Sequence, residues 1–328
     1  MSSTLVCGID LGGTHTQVGV VDTDGNIVGR EGAKTQASLG VDAVLDNIAE
    51  AVRAAANQAG ITADQLASIG FAAPGGCDPV RGIVYETGNL GWPHNFPLGD
   101  EMAKRLPGPP IVVDNDVNAA AFGEFRYGAA KDDPDLLAVW VGTGIGGGLV
   151  IDGRLHHGSL GTAGEIGQTL LLPSSPTGER LTEHACSRLA VVSRIALLIR
   201  RGRPSMVADL LREQEGDDAD PRRIDAAMVA RAYHAGDELA VTVINESADL
   251  LGTAIANTLT VLAIGAVVLG GGLSEQCGHP YVERIAAATR AHFFPSAVGE
   301  RIRFALTELR ENAGLLGAAA IARDRAGA

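Results

Sequence analysis

The chain has 328 residues, 46% hydrophobic and 20% charged, a length that suits about two domains, each burying a core of its own. A formal net charge of −13 opposes the counterion release that drives nucleic-acid binding, so any phosphate must be held by local geometry. Cys7, Cys77, Cys186 and Cys277 are far apart and form no CxxC pair, which excludes a disulfide framework and a cysteine-rich zinc site and leaves buried or idle thiols as the expectation.

The opening MSSTLVCGID lacks the basic and apolar regions of a signal peptide and reads as a first strand, so a cytoplasmic location is expected. Three short strands are predicted, LVCGID, TQVGVVD and NIVGR, joined by the GGT turn and an Asp24-Gly25 hairpin turn. Apolar residues at Val41, Val44, Leu45, Ile48, Ala49 and Val52 follow helical spacing, and Gly60 helps to end that helix. Strands are predicted over 67–73 and 111–113, the second delivering Asp114-Asn115-Asp116 at its carboxyl end before a helix over 117–125.

The same order then begins again with LLAVWVG, a glycine turn, GGLVID, an Asp152-Gly153 turn and RLHHG, which predicts an internal duplication. Helical patterns follow from 181 to about 264, broken by EQEGDDADP, an acidic run read as a solvated connector. The strand AVVLGGG, a helix near 281–291, the strand IRFAL and a helix from Ala313 complete an alternation that indicates an α/β protein. No charged residue occurs between Leu250 and Ser274, yet Asn257, Thr258, Thr260 and Gly265 interrupt the apolarity. That stretch is therefore predicted as a buried helix and a buried strand, with no membrane implied.

Five clusters carry candidate chemistry. In DLGGTHT, Gly12 and Gly13 allow backbone N–H groups close to an anion, Thr14 and Thr16 add hydroxyls beside His15, and Asp10 is placed to hold Mg²⁺ directly or through water. An ordinary hairpin turn is the alternative for that segment. Gly142-Thr143-Gly144 occupies the matching place in the second repeat, and a pair of such turns can grip a polyphosphate without net positive charge. Its GxGxxG-like spacing lacks the following helix that a dinucleotide-binding fold needs.

Gly270-Gly271, after an apolar strand, form a flat turn suited to adenine and ribose, or alternatively a site of close packing. Asp116, beside Asn115, is placed to take a hydroxyl proton during in-line attack on phosphorus, with helix capping as the alternative for this cluster. Glu165, Gln168 and Glu183 supply two carboxylates and an amide for hydroxyl groups, although Glu183 near a helix start also suits the helix dipole. His156 and His157 have no metal-ligand spacing and are read as surface or packing residues.

In order, DLGGTHT, PGGCDPVRGIV, GNLGW, DNDVNAAAFGE, VGTGIGGGLVIDG, GTAGEIGQ and VVLGGGLS span nearly the whole chain and closely resemble the ROK family of sugar kinases and repressors. The resemblance implies an actin-like, ribonuclease-H-like pair of α/β domains around a central cleft. Residues 1–115 with about 311–328 would form the small domain and 116–310 the large one, which carries most nucleotide contacts. It further implies ATP in the glycine turns, Mg²⁺, and Asp116 as the catalytic aspartate of an NDxN motif. Gly75, Asn89, Asn115, Glu165 and Glu183 then fall at sugar-contacting positions.

The resemblance also implies a homodimer with a hexose as substrate, glucose first. Mannose, fructose or N-acetylmannosamine, polyphosphate as donor, and a non-catalytic sugar sensor are the alternatives. Zinc-bearing members place a His after GEIG and a CxCGxxGC cluster beyond it. Here Gln168 and SSPTGERLTEHACS stand instead, so no zinc is expected. With the core motifs beginning at Asp10, no DNA-binding segment and no nucleic-acid partner are expected.

Overall fold

A computed structural model describes residues 4–87, 90–175, 178, 180–216 and 219–327. The chain forms β1 (Val6–Leu11), β2 (His15–Val21), β3 (Ile27–Lys34), α1 (Val41–Gln58), β4 (Ile69–Ala73), β5 (Cys77–Asp78), β6 (Ile83–Val84), α2 (Leu98–Arg105), β7 (Ile111–Asn115) and α3 (Asp116–Tyr127). It continues with β8 (Leu136–Val141), β9 (Ile145–Ile151), β10 (Arg154–Leu155), α4 (Thr182–Cys186), α5 (Arg188–Arg200), α6 (Met206–Glu215), α7 (Ala226–His234) and α8 (Glu238–Leu262). The last elements are β11 (Ala266–Gly270), α9 (Gly272–Cys277), α10 (His279–His292), β12 (Arg303–Leu306) and α11 (Ala313–Ala326).

Two compact units result, one of Met1–Pro134, Gly148–Ala163 and Glu311–Ala328, the other of Asp135–Gly147 and Gly164–Arg310. This division differs from the boundary expected at 115/116, because α3 packs on α11 and stays with the first unit.

In the first unit the sheet runs β3-β2-β1-β4-β7. β1 is antiparallel to β2 and parallel to β4, which is parallel to β7. The registers Asp10↔Ala72 and Ala72↔Asp114 set two carboxylates in one row at the carboxyl ends of parallel strands, where α/β sheets present ligand-binding groups. α1 lays Val44, Leu45, Ile48 and Val52 in the core, each such burial contributing about 1.5–3 kcal/mol. It runs to Gln58, with Ala55 and Ala56 continuing the buried stripe, and stops just before Gly60, which has φ +77°.

The small residues of α11 let it lie against both β1 and α3. A Cβ on Gly8 would fall 2.0 Å from the Leu315 carbonyl oxygen, and one on Gly317 would fall 1.6 Å from that of Ala119. Contacts of this closeness need glycine, and they set the start of α3 over the end of β7.

The second sheet has the order β10-β9-β8-β11-β12, with β11 parallel to both β8 and β12. Each sheet thus opens with a meander followed by parallel strands, the repeat that the sequence predicted. The uncharged stretch 250–274 forms the end of α8, all of β11 and the start of α9. α8 is long and apolar enough to cross a membrane, but 61% of its most apolar window is buried inside the protein. α9 was not anticipated, since six residues starting at a glycine carry too little periodicity. All four cysteines are buried free thiols. Residues 217 and 218 of the acidic connector lie outside the described residues.

Candidate active site

Asn115 ends β7 and caps α3, its Oδ1 accepting from the N–H groups of Val117 at 2.9 Å and Asn118 at 3.0 Å. The capping alternative therefore describes Asn115, while Asp116 is the first residue of the helix. The Asn115 amide donates to the Gly75 carbonyl at 3.0 Å and to Asp116 Oδ1 at 2.9 Å. Val117 N–H also donates to that oxygen at 2.9 Å. One side chain thereby joins the Gly75 turn to Asp116 and fixes the carboxylate against rotation. Gly75 has φ +91°, and a Cβ there would meet the Glu86 carbonyl oxygen at 1.9 Å. Asn89 lies outside the described residues.

Behind this turn Asp114 is buried, with Oδ1 accepting from the Asn115 N–H at 2.9 Å and the Asn118 amide at 3.1 Å. His157 Nε2 lies 2.7 Å from its Oδ2. The expectation of an uninvolved surface or packing histidine is thus corrected for His157, which bonds a buried carboxylate one residue from Asn115. No local pattern in the sequence marks that pair.

Asp10 ends in the same row of the sheet, and burial, with the Asp116 carboxylate as the second cause, pushes it up to about 7. The turn after it is held by Thr35, whose N–H donates to the Thr14 carbonyl at 3.0 Å and whose hydroxyl donates to the Gly12 carbonyl at 2.7 Å. Thr16 is buried, with its hydroxyl 3.1 Å from that of Thr35. Thr14 and His15 are exposed, so the turn presents Gly12, Gly13, Thr14 and His15 on a support made by Thr16 and Thr35.

In the second unit, the Gly142 N–H donates to the Gly144 carbonyl at 3.0 Å, and Arg188 braces the turn through the Gly142 carbonyl (2.9 Å) and the Thr143 hydroxyl (2.8 Å). Glu183 on α4 accepts from the Gln168 amide at 3.0 Å and from the Ile145 N–H at 3.5 Å. A Cβ on Gly144 would lie 2.7 Å from its Oε2. Glu165 opens the short turn to Gln168, which packs on β9 because Gly167 and Gly147 admit backbone oxygens at close range. Burial first, and Glu183 second, raise the Glu165 carboxyl above the usual range.

Gly270 faces Trp140, 2.4 Å separating the position of its absent Cβ from the indole, and Gly271 has φ +84° against Val141. Both glycines are thus closely packed on β8, and the turn leads directly into α9.

Carboxylates oriented by amides, together with glycine turns at strand ends, are suited to proton abstraction and phosphate binding. Residues 6–325 match the ROK family. A Thermotoga maritima glucokinase is 31% identical over 327 residues, covering 100% of both chains. The crystal structure of a ROK family glucokinase from Streptomyces griseus in complex with glucose and AMPPNP is 30% identical, with TM-score 0.81, covering 98% of this chain and 99% of that one. A ROK hexokinase structure from Thermus thermophilus is 29% identical, with TM-score 0.80, covering 98% and 99%. The α/β fold is that of the actin-like ATPases.

Proposed function

The chain belongs to the ROK family, and from that premise we propose that it transfers the γ-phosphoryl group of ATP to a hexose hydroxyl, glucose first, giving glucose 6-phosphate and ADP. The observation that carries this reading is the Asp116 carboxylate held by the Asn115 amide and the Val117 N–H at the start of α3. An oriented carboxylate at that position can take the hydroxyl proton as the oxygen attacks phosphorus in line. The glucose and AMPPNP bound by the Streptomyces griseus relative support the choice of substrates.

Asn115, Gly75, Asn89, Glu165, Gln168 and Glu183 are assigned to the sugar. Gly12, Gly13, Thr14, His15, Gly142, Thr143 and Gly144 are assigned to the phosphates, Thr16 to holding the first turn, and Gly270 and Gly271 to the nucleoside. Mg²⁺ fits Asp10, because a carboxyl that burial keeps partly protonated near neutrality gains most from a cation. Among the described residues no group of three or more His, Cys, Asp or Glu could hold a metal, which suits an ion bound by one carboxylate and substrate phosphates. When bound, Mg²⁺ neutralises phosphate charge. A cytoplasmic homodimer completes the proposal, and light scattering checks the dimer.

The decisive experiment is phosphorylation of a sugar panel with ATP and polyphosphate, run beside Asp116→Asn. Loss of a general base predicts a fall in turnover of about 10²–10⁴-fold with sugar binding kept. Parental turnover in that variant removes Asp116 as the base, and no phosphorylation of any sugar by the parent removes the kinase reading.

A further inference from the structure

The first unit contains a cavity of about 570 Å³, within the range of small-molecule sites, with Phe122, Arg154, Leu155, His157, Arg323 and Arg325 in its wall. None of the three arginines was singled out as a candidate site residue in the sequence. The protein carries a formal net charge of −13, yet here three guanidinium groups line one space. The carboxylate in the same wall, Asp324, is already paired with Arg126 at 2.7 Å.

The hydrogen bonds of these arginines go to neutral groups, and of the three Arg323 has a carboxylate, that of Asp22, acting on its charge. Arg323 is 5% exposed and donates to the Tyr127 hydroxyl at 2.8 Å and to the carbonyls of Val21 and Asp22 at 3.0 and 2.7 Å, all neutral acceptors. Arg325 donates to the Pro79 carbonyl. Arg154 is exposed and enters no ion pair among the described residues. Arg323 Nε is buried with no hydrogen-bond partner, and an anion in the cavity offsets the cost of that unmet donor.

We propose that this cavity is a second anion site that takes a phosphate monoester dianion or inorganic phosphate, distinct from the residues assigned to phosphotransfer. Guanidinium forks match phosphate oxygens, while Phe122 and Leu155 give the carbon part of an organic phosphate an apolar wall. His157 connects the wall to Asp114, and through it to the Asn115 N–H.

Calorimetric titration of the full chain at fixed ionic strength tests this, with inorganic phosphate and glucose 6-phosphate as separate probes. For at least one probe the parent is expected to show a binding event, separate from any at the phosphate turns, whose affinity falls tenfold or more in Arg154→Ala and in Arg325→Ala. Both positions are exposed, so the fold is retained, as thermal melting checks. Thr14→Ala, in the phosphate turn, and Lys131→Ala, which removes one charge outside the lining, should leave this affinity unchanged. The probe that loses affinity in the arginine variants identifies the source of the phosphate. Absence of binding by both probes, or binding indifferent to both arginine substitutions, overturns the proposal. Binding heat needs no turnover, so its failure is separate from failure of the kinase reading.

Discussion

Asp10 and Gly314 touch at the start of α11: a Cβ built on Gly314 would lie 2.7 Å from Asp10 Oδ2 and 2.8 Å from its Cγ. The carboxylate occupies the volume that any side chain there would need.

Gly314→Ala should therefore displace Asp10. Because the substitution crowds one carboxylate at a helix start, overpacking should cost about 1–3 kcal/mol at most, while the requirement for Mg²⁺ shifts to higher concentration. Activity measured against Mg²⁺, beside a denaturant midpoint, separates the two effects. An unchanged Mg²⁺ dependence would show that Asp10 does not serve the ion.

The raised Asp10 carboxyl predicts a pH dependence of stability. Its folded value of about 7 exceeds the ordinary value of 3.8, so the folded chain binds the extra proton between those limits. The stabilisation from Asp10 is then fully present below about pH 4 and lost as pH rises through about 7. Thermal melts of metal-free protein should show Asp10→Asn more stable than the parent at pH 8, with the gap closing toward pH 4. A gap that widens on acidification has the wrong sign and rejects the burial argument.

Asn115 performs two tasks that different substitutions separate. Asn115→Asp keeps an acceptor for the Val117 and Asn118 N–H groups but loses the donor to Gly75 and Asp116. Stability near the parent's with turnover down at least tenfold is expected. Asn115→Ala loses the cap as well, at a further cost of about 1 kcal/mol. Equal turnover in Asn115→Asp and the parent would mean that the amide does not orient Asp116.

Gln168→Ala removes the amide that donates to Glu183 Oε1. With the Glu165 and Glu183 carboxylates then less well separated in role, the KM for glucose should rise several-fold with kcat less affected, the signature of lost ground-state binding. Gln168→His, which restores a donor, should recover part of the loss. If KM stays at the parental value in Gln168→Ala, the sugar does not depend on that side chain.

Much of the fold was legible because strands and helices have short periods. The two meanders, the 111–113 strand and the terminal helix from Ala313 were visible in apolar patterning and glycine placement. The DND run identified the candidate base for a similar reason, since a polar cluster closing an apolar strand has few structural explanations. Where prediction stopped short, as with α9, the segment was too brief for period to decide.

The sequence by itself determined the repeated α/β order, the glycine turns and the identity of the carboxylates, because each is a property of neighbours along the chain. The tertiary structure alone decided that His157 meets Asp114 across 43 positions, that Gly314 leaves room for Asp10, and that Arg154, Arg323 and Arg325 line one cavity. The last two depend on how closely α11 packs in the first unit, and no local periodicity encodes the distance between groups that only packing brings together.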